Sequence, residues 1–332
     1  MITLSPVRAL GLLSGGLDSA LAARLLIDQG IEVIGLHLES PTACRSDVRE
    51  VASDLGIRLI TRAKGEPYLD LLRQPRFGYG RNMNPCVDCR VFMFQLAQPV
   101  LEECGARFLF TGEVMGQRPM SQTRERFLLI DREAGLSGWI VRPLSARVLP
   151  ETEPERLGFV DRGKLLGIYG RTRTTQLELA ERLGLKHYQS PGGGCLLTDP
   201  IFAVKLRDLL DHDPARETSL DDVALLRLGR HVRIHDALKI VLGRDASENA
   251  ALRNFENPVR RIVEPASFSG PSALVCGAFS EPALAETARL IVRYSRRATP
   301  EDTLYWNDRG TRCTRPLAEF DVTTMSFEPH VP

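Results

Sequence analysis

Apolar segments alternate with amphipathic segments over the first 190 residues of the chain. Runs of consecutive apolar side chains predict buried strands, and apolar positions at helical spacing predict helices packed on them. The predicted strands cover residues 8–13, 32–38, 57–62, 107–111 and 139–143, and the predicted helices cover residues 18–29, 46–55, 87–103, 151–158 and 173–183. Alternation of strand and helix is typical of a parallel sheet with helices on both faces, so we expect an α/β fold.

Two regions depart from this alternation. Residues 63–86 are basic and rich in Gly and Pro, which predicts a long loop of the functional or mobile kind. After Pro200 the chain changes to short strands, turns and one small helix, as predicted from the sequence. We therefore expect a catalytic domain at residues 1–200 and a smaller α+β domain at residues 201–332.

The overall composition is that of an ordinary globular protein, with 43% hydrophobic and 26% charged residues among 332. Lys and Arg number 43 against 42 Asp and Glu, so a nucleic-acid surface would have to be a local patch. No run of 18 apolar residues predicts a membrane span, and the N-terminus does not resemble an export signal. We expect a cytoplasmic location and no membrane partner.

The segment Ser14-Gly15-Gly16-Leu17-Asp18-Ser19 joins the first strand to the first helix. Backbone N–H groups and the helix dipole favour an anion at such a helix N-terminus, and glycines allow phosphate to approach closely. No lysine follows, so this is not the common G-x-x-x-x-G-K-[ST] nucleotide loop. A simpler interpretation is a Ser/Gly turn that only caps the helix.

The six residues resemble the S-G-G-x-D-S signature of the N-type ATP pyrophosphatases, the PP-loop enzymes. The resemblance implies an adenine nucleotide α-hydrolase-like fold in which the loop holds the pyrophosphate of ATP. It implies that Asp18 positions Mg²⁺ or the phosphates. The expected nucleotide-binding residues are Ser14, Gly15, Gly16, Asp18, Ser19, Gly112, Gly116 and Gln117. Gly116 and Gln117 lie in "GQRPMSQ", which resembles the segment lining the adenylate pocket of 4-thiouridine synthases, and Gly112 lies at the carboxyl end of a predicted strand, where ligands bind in open parallel sheets.

Three of the seven cysteines stand in unusual contexts. Cys86 and Cys89 form a C-x-x-C pair at a predicted helix start, where the dipole is expected to lower thiol pKa, and Cys195 follows three glycines. Three thiolates suit an iron–sulfur cluster with one open iron better than structural zinc, which needs a fourth ligand such as His187. A redox pair or core residues remain alternatives for the C-x-x-C pair. The other cysteines are interpreted as core or incidental residues: Cys44, Cys104, Cys276 and Cys313.

With "GYGRNMNPCVDCR", "TGEVMGQRPMSQ" and "PGGGCLLTDP", residues 8–200 resemble PP-loop tRNA thiolation enzymes, the 2-thiouridylases and 4-thiouridine synthases. Bacterial 2-thiouridylases usually carry aspartate where this chain has Cys86. The cysteine makes the chain similar to three-cysteine relatives that hold a [4Fe–4S] cluster. The resemblance implies cluster ligands at Cys86, Cys89 and Cys195, or a persulfide on Cys195 that Cys89 resolves.

The segment "LRLGRHVRIHDALKIVLGRDASENAAL" resembles the RNA-binding module of NFACT proteins. Residues 227–261 contain eight Lys or Arg and four acids, which is compatible with phosphate binding or with an ordinary solvated face. Further arginines near the expected catalytic motifs are candidates for RNA phosphates: Arg81, Arg90, Arg118, Arg124, Arg171 and Arg173.

Taken together, the resemblances predict an ATP-dependent tRNA sulfurtransferase with catalytic roles for Asp18, Cys89 and Cys195. The expected ligands and partners are ATP, Mg²⁺, a [4Fe–4S] cluster rather than zinc, tRNA, and a sulfur donor that is either sulfide or a persulfide-carrying protein. The sequence leaves open a homodimer, the modified nucleotide and the thiolated carbonyl. Two other functions stay open: a PP-loop enzyme that sulfurates or amidates a small molecule, and a non-catalytic RNA-binding or cluster-holding protein.

Overall fold

The computed structural model describes residues 6–43, 47–189, 195–308 and 310–320. It divides into two compact units, Met1–Thr198 and Asp199–Pro332. None of the helices in the described ranges has the length and apolar character needed to cross a lipid bilayer.

A five-stranded parallel sheet forms the centre of the first unit. Its strands are β1 (Arg8–Leu12), β2 (Glu32–Glu39), β3 (Arg58–Ala63), β4 (Phe108–Thr111) and β5 (Ile140–Val141), in the spatial order β3-β2-β1-β4-β5. The chain first moves outward from β1 to β3 and then returns to the other side of β1. The carboxyl ends of β1 and β4 therefore form a topological switch point, the usual ligand-binding edge of an open parallel sheet.

Seven α-helices flank this sheet among the described residues. They are α1 (Leu17–Ile27), α2 (Val48–Asp54), α3 (Pro67–Arg73), α4 (Cys86–Glu103), α5 (Arg124–Glu133), α6 (Glu153–Arg156) and α7 (Thr174–Arg182). Alternate side chains of β1 enter two separate cores: Ala9 packs with α1, α2 and α7, while Leu10 packs with α4 and α5. The predicted α/β fold with helices on both faces is confirmed.

Two helices of the first unit were not predicted. Residues 63–86 were expected to be a loop, but the structure places α3 inside this stretch, with Pro67 in its first turn and Tyr68 and Leu72 buried. Helix α5 buries few apolar side chains, Phe127 and Ile130, between charged residues, so its apolar spacing is weak in the sequence.

The second unit contains a six-stranded antiparallel sheet and four α-helices among its described residues. The strands are β6 (Arg230–His235), β7 (Leu238–Leu242), β8 (Arg260–Pro265), β9 (Ala273–Gly277), β10 (Thr303–Asp308) and β11 (Thr311–Pro316), in the order β11-β10-β8-β9-β7-β6. The helices are α8 (Pro200–Asp211), α9 (Leu220–Leu225), α10 (Ala246–Leu252) and α11 (Glu281–Arg293). The α+β prediction is confirmed, but the expectation of one small helix is wrong.

Helix α11 supplies much of the core of this second unit. Ser280 caps it by accepting a hydrogen bond from the N–H of Ala283, and its apolar side recurs at helical spacing. Leu284 and Ile291 pack against Ile240 and Val263 of the sheet. Burial of one face of an antiparallel sheet by a helix is a stable two-layer arrangement.

Candidate functional site

The turn between β1 and α1 has the backbone geometry of an anion site. Gly15 has a φ of 76°, a left-handed conformation that favours glycine. Gly16 is the N-cap of α1 and makes no side-chain cap hydrogen bond, whereas the side chain of Thr123 caps α5. The first N–H groups of α1 thus remain available to an anion at the positive end of the helix dipole.

Two serine hydroxyls complete this turn. Ser19 Oγ donates to the carbonyl of Gly16 at 2.9 Å, and it lies 3.4 Å from Ser14 Oγ. The N–H of Gln189 donates to the carbonyl of Gly15 at 2.9 Å, which holds the outer side of the turn. The predicted phosphate-binding residues of the turn are therefore assembled in one short piece of backbone.

Asp18 has one carboxylate oxygen without a hydrogen-bond partner. Its Oδ2 accepts from Gln117 Nε2 at 3.0 Å and lies 3.6 Å from Arg173 Nη2. Its Oδ1 is buried and has no partner in the described part of the chain. A buried carboxylate oxygen of this kind suits a hard divalent cation, so the site fits Mg²⁺.

The end of β4 lies directly against this turn. A Cβ atom on Gly112 would come within 2.4 Å of the backbone of Asp18, so the close approach requires glycine. The N–H of Gly116 donates to the carbonyl of Gln122 at 2.7 Å and closes the turn that carries Gln117. The structure thus brings Gly112 and Gln117 to the glycine loop.

Hydrogen bonds from two loops hold the turn that carries Cys195. The N–H of Leu196 donates to the carbonyl of Thr42 at 3.0 Å. On the other side, the N–H of Met83 donates to the carbonyl of Leu197 at 3.2 Å, and Asn82 Nδ2 donates to the carbonyl of Thr198 at 2.8 Å. These contacts join residues far apart in sequence and bring Cys195 to the start of α4. Residues 190–194, which include the three glycines, lie outside the described residues.

The thiols of Cys86, Cys89 and Cys195 act on one another electrostatically and all are partly buried. Burial and the charge of Cys89 raise the pKa of Cys195, to about 11. Burial also raises the pKa of Cys86, and the charge of Cys89 adds to this shift. The expected lowering by the helix dipole is therefore wrong for Cys86, because desolvation of the thiolate outweighs it.

Each of the three sulfur atoms has its own partner. Cys86 donates to Asn84 Oδ1 at 3.1 Å, Cys89 Sγ lies 3.3 Å from Lys64 Nζ, and Cys195 donates to the Thr42 carbonyl at 3.7 Å. In the described ranges no three His, Cys, Asp or Glu residues are arranged around a common metal position. Thiols are the ligand type that iron–sulfur clusters use in proteins.

The alternative zinc ligand and the remaining cysteines lie elsewhere. His187 Nδ1 is 2.6 Å from Asp54 Oδ2, so this histidine pairs with α2. Cys104 is buried in the core with α4, Cys276 lies on β9 and Cys313 on β11. Cys44 lies outside the described residues.

Lys64 is a residue of this site that the sequence analysis missed. Its side chain is 8% exposed, lies 4.3 Å above the ring of Tyr68, and has no carboxylate partner among the described residues. The hydroxyl of Tyr68 is 2.8 Å from Thr42 Oγ1, so the pair adjoins the Cys195 turn. Its position along the chain could have indicated a role, because Lys64 immediately follows β3 at the ligand-binding edge of the sheet.

A buried ion-pair network connects the end of β4 to the cysteine helix. Glu113 accepts from Arg142 Nε at 3.2 Å and also pairs with Arg90 Nε at 3.2 Å. Arg142 makes a bidentate pair with Asp131 at 2.7 and 2.9 Å. Although burial opposes it, the charge of Asp131 raises the pKa of Arg142. Glu113 follows Gly112 and Arg90 follows Cys89, so the network links the nucleotide turn to the thiols.

In the second unit, most of the predicted basic surface is neutralised by neighbouring acids. Five of the eight cations in residues 227–261 form ion pairs, namely Arg233 and Lys239 with Asp208, Arg244 with Glu248, Arg253 with Glu264, and Arg260 with Asp222. The excess of Lys and Arg counted within residues 227–261 therefore overstates the positive potential at this surface.

Comparison with known families assigns each unit separately. Residues 5–147 match the family described as thiamine biosynthesis protein (ThiI). Residues 229–313 match the NFACT protein RNA binding domain. Part of the first unit thus resembles the ThiI family and part of the second unit resembles the NFACT RNA-binding domain, so the predicted resemblance to both families is confirmed.

Individual relatives match parts of the chain. A probable tRNA sulfurtransferase of Thermococcus kodakarensis is 29% identical over 143 residues, which cover 41% of this chain and 36% of the relative. The tRNA-specific 2-thiouridylase MnmA of Syntrophotalea carbinolica is 37% identical over 115 residues, which cover 30% of this chain and 32% of the relative. The chain therefore spans only about a third of the length of these two curated relatives. A solved 4-thiouridine synthetase–RNA complex with bound ATP aligns at 22% identity and a TM-score of 0.36, over 66% of this chain and 53% of that one.

Proposed function

We propose that this chain is an ATP-dependent tRNA sulfurtransferase that adenylates a uridine carbonyl and replaces its oxygen with sulfur. The observation that carries the proposal is the pair of contacts made by the end of β4. Gly112 lies against the backbone of Asp18, and Glu113 pairs with Arg90, the neighbour of Cys89. A nucleotide turn and a sulfur site meet at one edge of one sheet, as activation followed by sulfur transfer requires.

The first step is activation of the uridine carbonyl. The turn from Ser14 to Ser19 binds the β- and γ-phosphates of ATP, and Asp18, whose Oδ1 has no hydrogen-bond partner among the described residues, is the residue that would hold Mg²⁺. The uridine carbonyl oxygen forms a bond to the α-phosphorus, and the bond from that phosphorus to the bridging oxygen of pyrophosphate breaks. Pyrophosphate leaves, and the adenylated carbon becomes an electrophile.

The second step replaces AMP with sulfur at the thiol site. Cys86, Cys89 and Cys195 are the residues that would hold a [4Fe–4S] cluster, which would supply a binding site for sulfide-level sulfur. Lys64 Nζ lies 3.3 Å from Cys89 Sγ and can donate a hydrogen bond to sulfur at this position. As the carbon–sulfur bond forms, the carbon–oxygen bond to AMP breaks.

The same residues support a second route without a cluster. The terminal sulfur of a Cys195 persulfide attacks the carbon, and AMP leaves. Cys89 then attacks Cys195 Sγ, which breaks the sulfur–sulfur bond and leaves a Cys89–Cys195 disulfide for a thiol reductant to reopen.

The proposed substrate, tRNA, rests on the NFACT-type match and on the names of the sequence relatives. Arg230 and Arg261 are cations of the second unit for which no ion pair with an acid is found among the described residues. We assign phosphate contacts to these two side chains rather than to the paired arginines of the same segment.

The test is a thiolation reaction with anaerobically purified full chain and tRNA that lacks thiolated nucleosides. We expect mass spectrometry to detect a thiouridine only when ATP, Mg²⁺ and a sulfur source are all present. Iron, sulfide and zinc analysis of the same sample separates the cluster route from the persulfide route. Absence of a thionucleoside with both sulfide and a persulfide donor, or its formation without ATP, would overturn the proposal.

A further inference from the structure

Tyr169 is the most exposed aromatic residue in the described part of the chain. It is 66% exposed, whereas the next aromatic residue, Trp139, is 36% exposed. Three other tyrosines carry a cation over the ring, namely Tyr68, Tyr294 and Tyr305. None of the described residues places a cation or an aromatic ring over Tyr169. Its ring therefore presents an open stacking surface to solvent.

The backbone around Tyr169 holds this ring in place. On one side, Ser145 Oγ donates to the carbonyl of Ile168 at 2.7 Å. On the other side, the N–H of Gly170 donates to the carbonyl of Met115 at 2.8 Å, and Met115 forms a parallel β-bridge with Tyr169 itself. Both neighbours of Tyr169 are thus tied to the segments that follow β4 and β5. A ring that is already positioned loses little conformational entropy when a ligand stacks on it.

The ring lies beside the nucleotide turn. A Cβ atom on Gly116 would come within 3.1 Å of Tyr169 Cε2, so the ring packs on the backbone of this glycine. The next residue, Gln117, donates to Asp18 Oδ2 at 3.0 Å. Arg173, four residues after Tyr169, lies 3.6 Å from the same oxygen. Two separate contacts therefore connect the surroundings of the ring to Asp18.

We infer that Tyr169 holds the uridine that is thiolated, by stacking on its base after the base has left the RNA stack. This inference rests on the proposed function, since chemistry on a base requires that the base be separated from its neighbours. Proteins commonly hold unstacked RNA bases on aromatic side chains. Arg171, two residues further along, is exposed, has no carboxylate partner among the described residues, and suits a phosphate of the RNA.

The adenine base of ATP offers the same stacking surface and is the alternative that the experiment separates. A small-molecule pocket buries roughly 70–90% of its ligand, and a ring that is itself mostly exposed does not provide such an enclosure. A base that is attached to an RNA reaches the ring from solvent, while the rest of the RNA stays outside the cleft. The exposure of Tyr169 therefore favours the RNA base over adenine.

The experiment measures binding of unthiolated tRNA alone and of ATP alone to the full chain by titration calorimetry. For Tyr169→Ala we expect tRNA affinity to fall on the order of tenfold, the typical effect of losing one base–aromatic stack. Tyr169→Phe should keep the tRNA affinity of the wild-type chain, because the ring remains. ATP affinity should be unchanged in both variants. The matched control is Leu157→Ala, which removes an exposed apolar side chain at the end of α6.

Two further measurements show whether stacking is the cause. Tyr169→Leu keeps an apolar side chain against Gly116 but lacks an aromatic ring, so it should lose as much tRNA affinity as Tyr169→Ala. The salt dependence of tRNA affinity should stay the same in both variants, because no phosphate contact is removed. Retained affinity in Tyr169→Leu, or a shallower salt dependence, would overturn the stacking role.

The outcomes separate this inference from the proposed function. Unchanged tRNA affinity in Tyr169→Ala overturns the inference, and so does a loss of ATP affinity, which would assign the ring to adenine. An equal loss of tRNA affinity in Tyr169→Phe would assign the contact to the hydroxyl and also overturns stacking. If tRNA binding falls as expected but the wild-type chain makes no thionucleoside, the stacking site stands and the proposed reaction fails.

Discussion

Two sites, one around Asp208 in the second unit and one around Lys64 in the first, use buried charge in opposite ways. In the second unit, Asp208 lies 2.9 Å from Arg233 and 2.8 Å from Lys239, and His212 approaches it at 3.5 Å. Although burial acts against it, hydrogen bonds from Arg233 and Lys239 bring the pKa of Asp208 down to about 2. In the first unit, Lys64 is buried with a thiol and an aromatic ring as its neighbours.

The comparison distinguishes charges that stabilise the fold from charges kept for a ligand. A carboxylate beside a buried cation offsets part of the free energy that the cation loses when it leaves water. Lys64 has no carboxylate partner among the described residues, and its contacts are the Cys89 thiol and the Tyr68 ring.

The largest expected effect is the loss of thiolation when the Cys195 thiol is removed. We expect Cys195→Ala to reduce thiolation on the order of a thousandfold or more, because both proposed routes need this thiol. ATP binding should remain, since the nucleotide turn is a separate piece of backbone. Nucleoside mass spectrometry and ATP titration measure the two effects. Cys313→Ala, on β11 of the second unit, is the control and should retain activity.

The next effect concerns the buried cation beside Cys89. We expect Lys64→Met to lower thiolation by about 10²-fold, a typical loss when a positioned charged group is removed. The free energy of unfolding should stay equal or rise by about 1 kcal/mol, because a buried cation without a carboxylate partner becomes an apolar side chain of similar length. A clear loss of stability in this variant would mean that Lys64 stabilises the fold, as the charges around Asp208 do, and would contradict the comparison.

The opposite behaviour is expected for the paired carboxylate of the second unit. Asp208→Asn should destabilise that unit by about 2 kcal/mol, because Arg233 and Lys239 lose their common partner. The two tryptophans allow a local measurement, since Trp306 lies in the core of the second unit and Trp139 follows α5 in the first. Asp236→Asn, a fully exposed position, is the control for the loss of one negative charge.

The smallest expected effect is a pH dependence confined to the second unit. The folded pKa of Asp208, about 2, lies below its ordinary value of 3.8. Ionised Asp208 therefore contributes stability that is fully present above about pH 4 and is lost as pH falls toward 2. Acid titration of Trp306 fluorescence should show this loss, and Asp208→Asn should flatten it. A parallel change at Trp139 would show that the effect is not specific to Asp208.

The fold was largely predictable because its strands are short, apolar and separated by clear helical segments. Strand β2 and helix α1 lie within two residues of their predicted bounds. Helix α5 was missed because a charged sequence with few buried positions has little periodicity, and α3 because glycines and prolines around it resemble loop composition.

Site residues were predictable only where the residue type and its local sequence indicate a chemical role. Adjacent glycines before a helix and cysteines at short spacing give such signals, and the structure gathers both groups at one edge of the sheet. Lys64 and Arg142 were missed because their importance depends on burial and on partners distant in sequence, such as Cys89 and Asp131. The charge of residues 227–261 was overstated for the same reason, since ion pairs are tertiary contacts.

The way in which the Cys195 turn is held bears on how this protein can change during evolution. The hydrogen bonds of Leu196 to Thr42 and of Met83 to Leu197 join main-chain atoms, and each further hydrogen bond described for the turn, from Asn82, Cys195 and Thr198, ends on a main-chain carbonyl. Every amino acid offers the same main-chain groups, proline excepted as a donor. Neighbouring side chains can therefore drift between lineages while the sulfur keeps its location, and the loops of this region can diverge much faster than their chemistry.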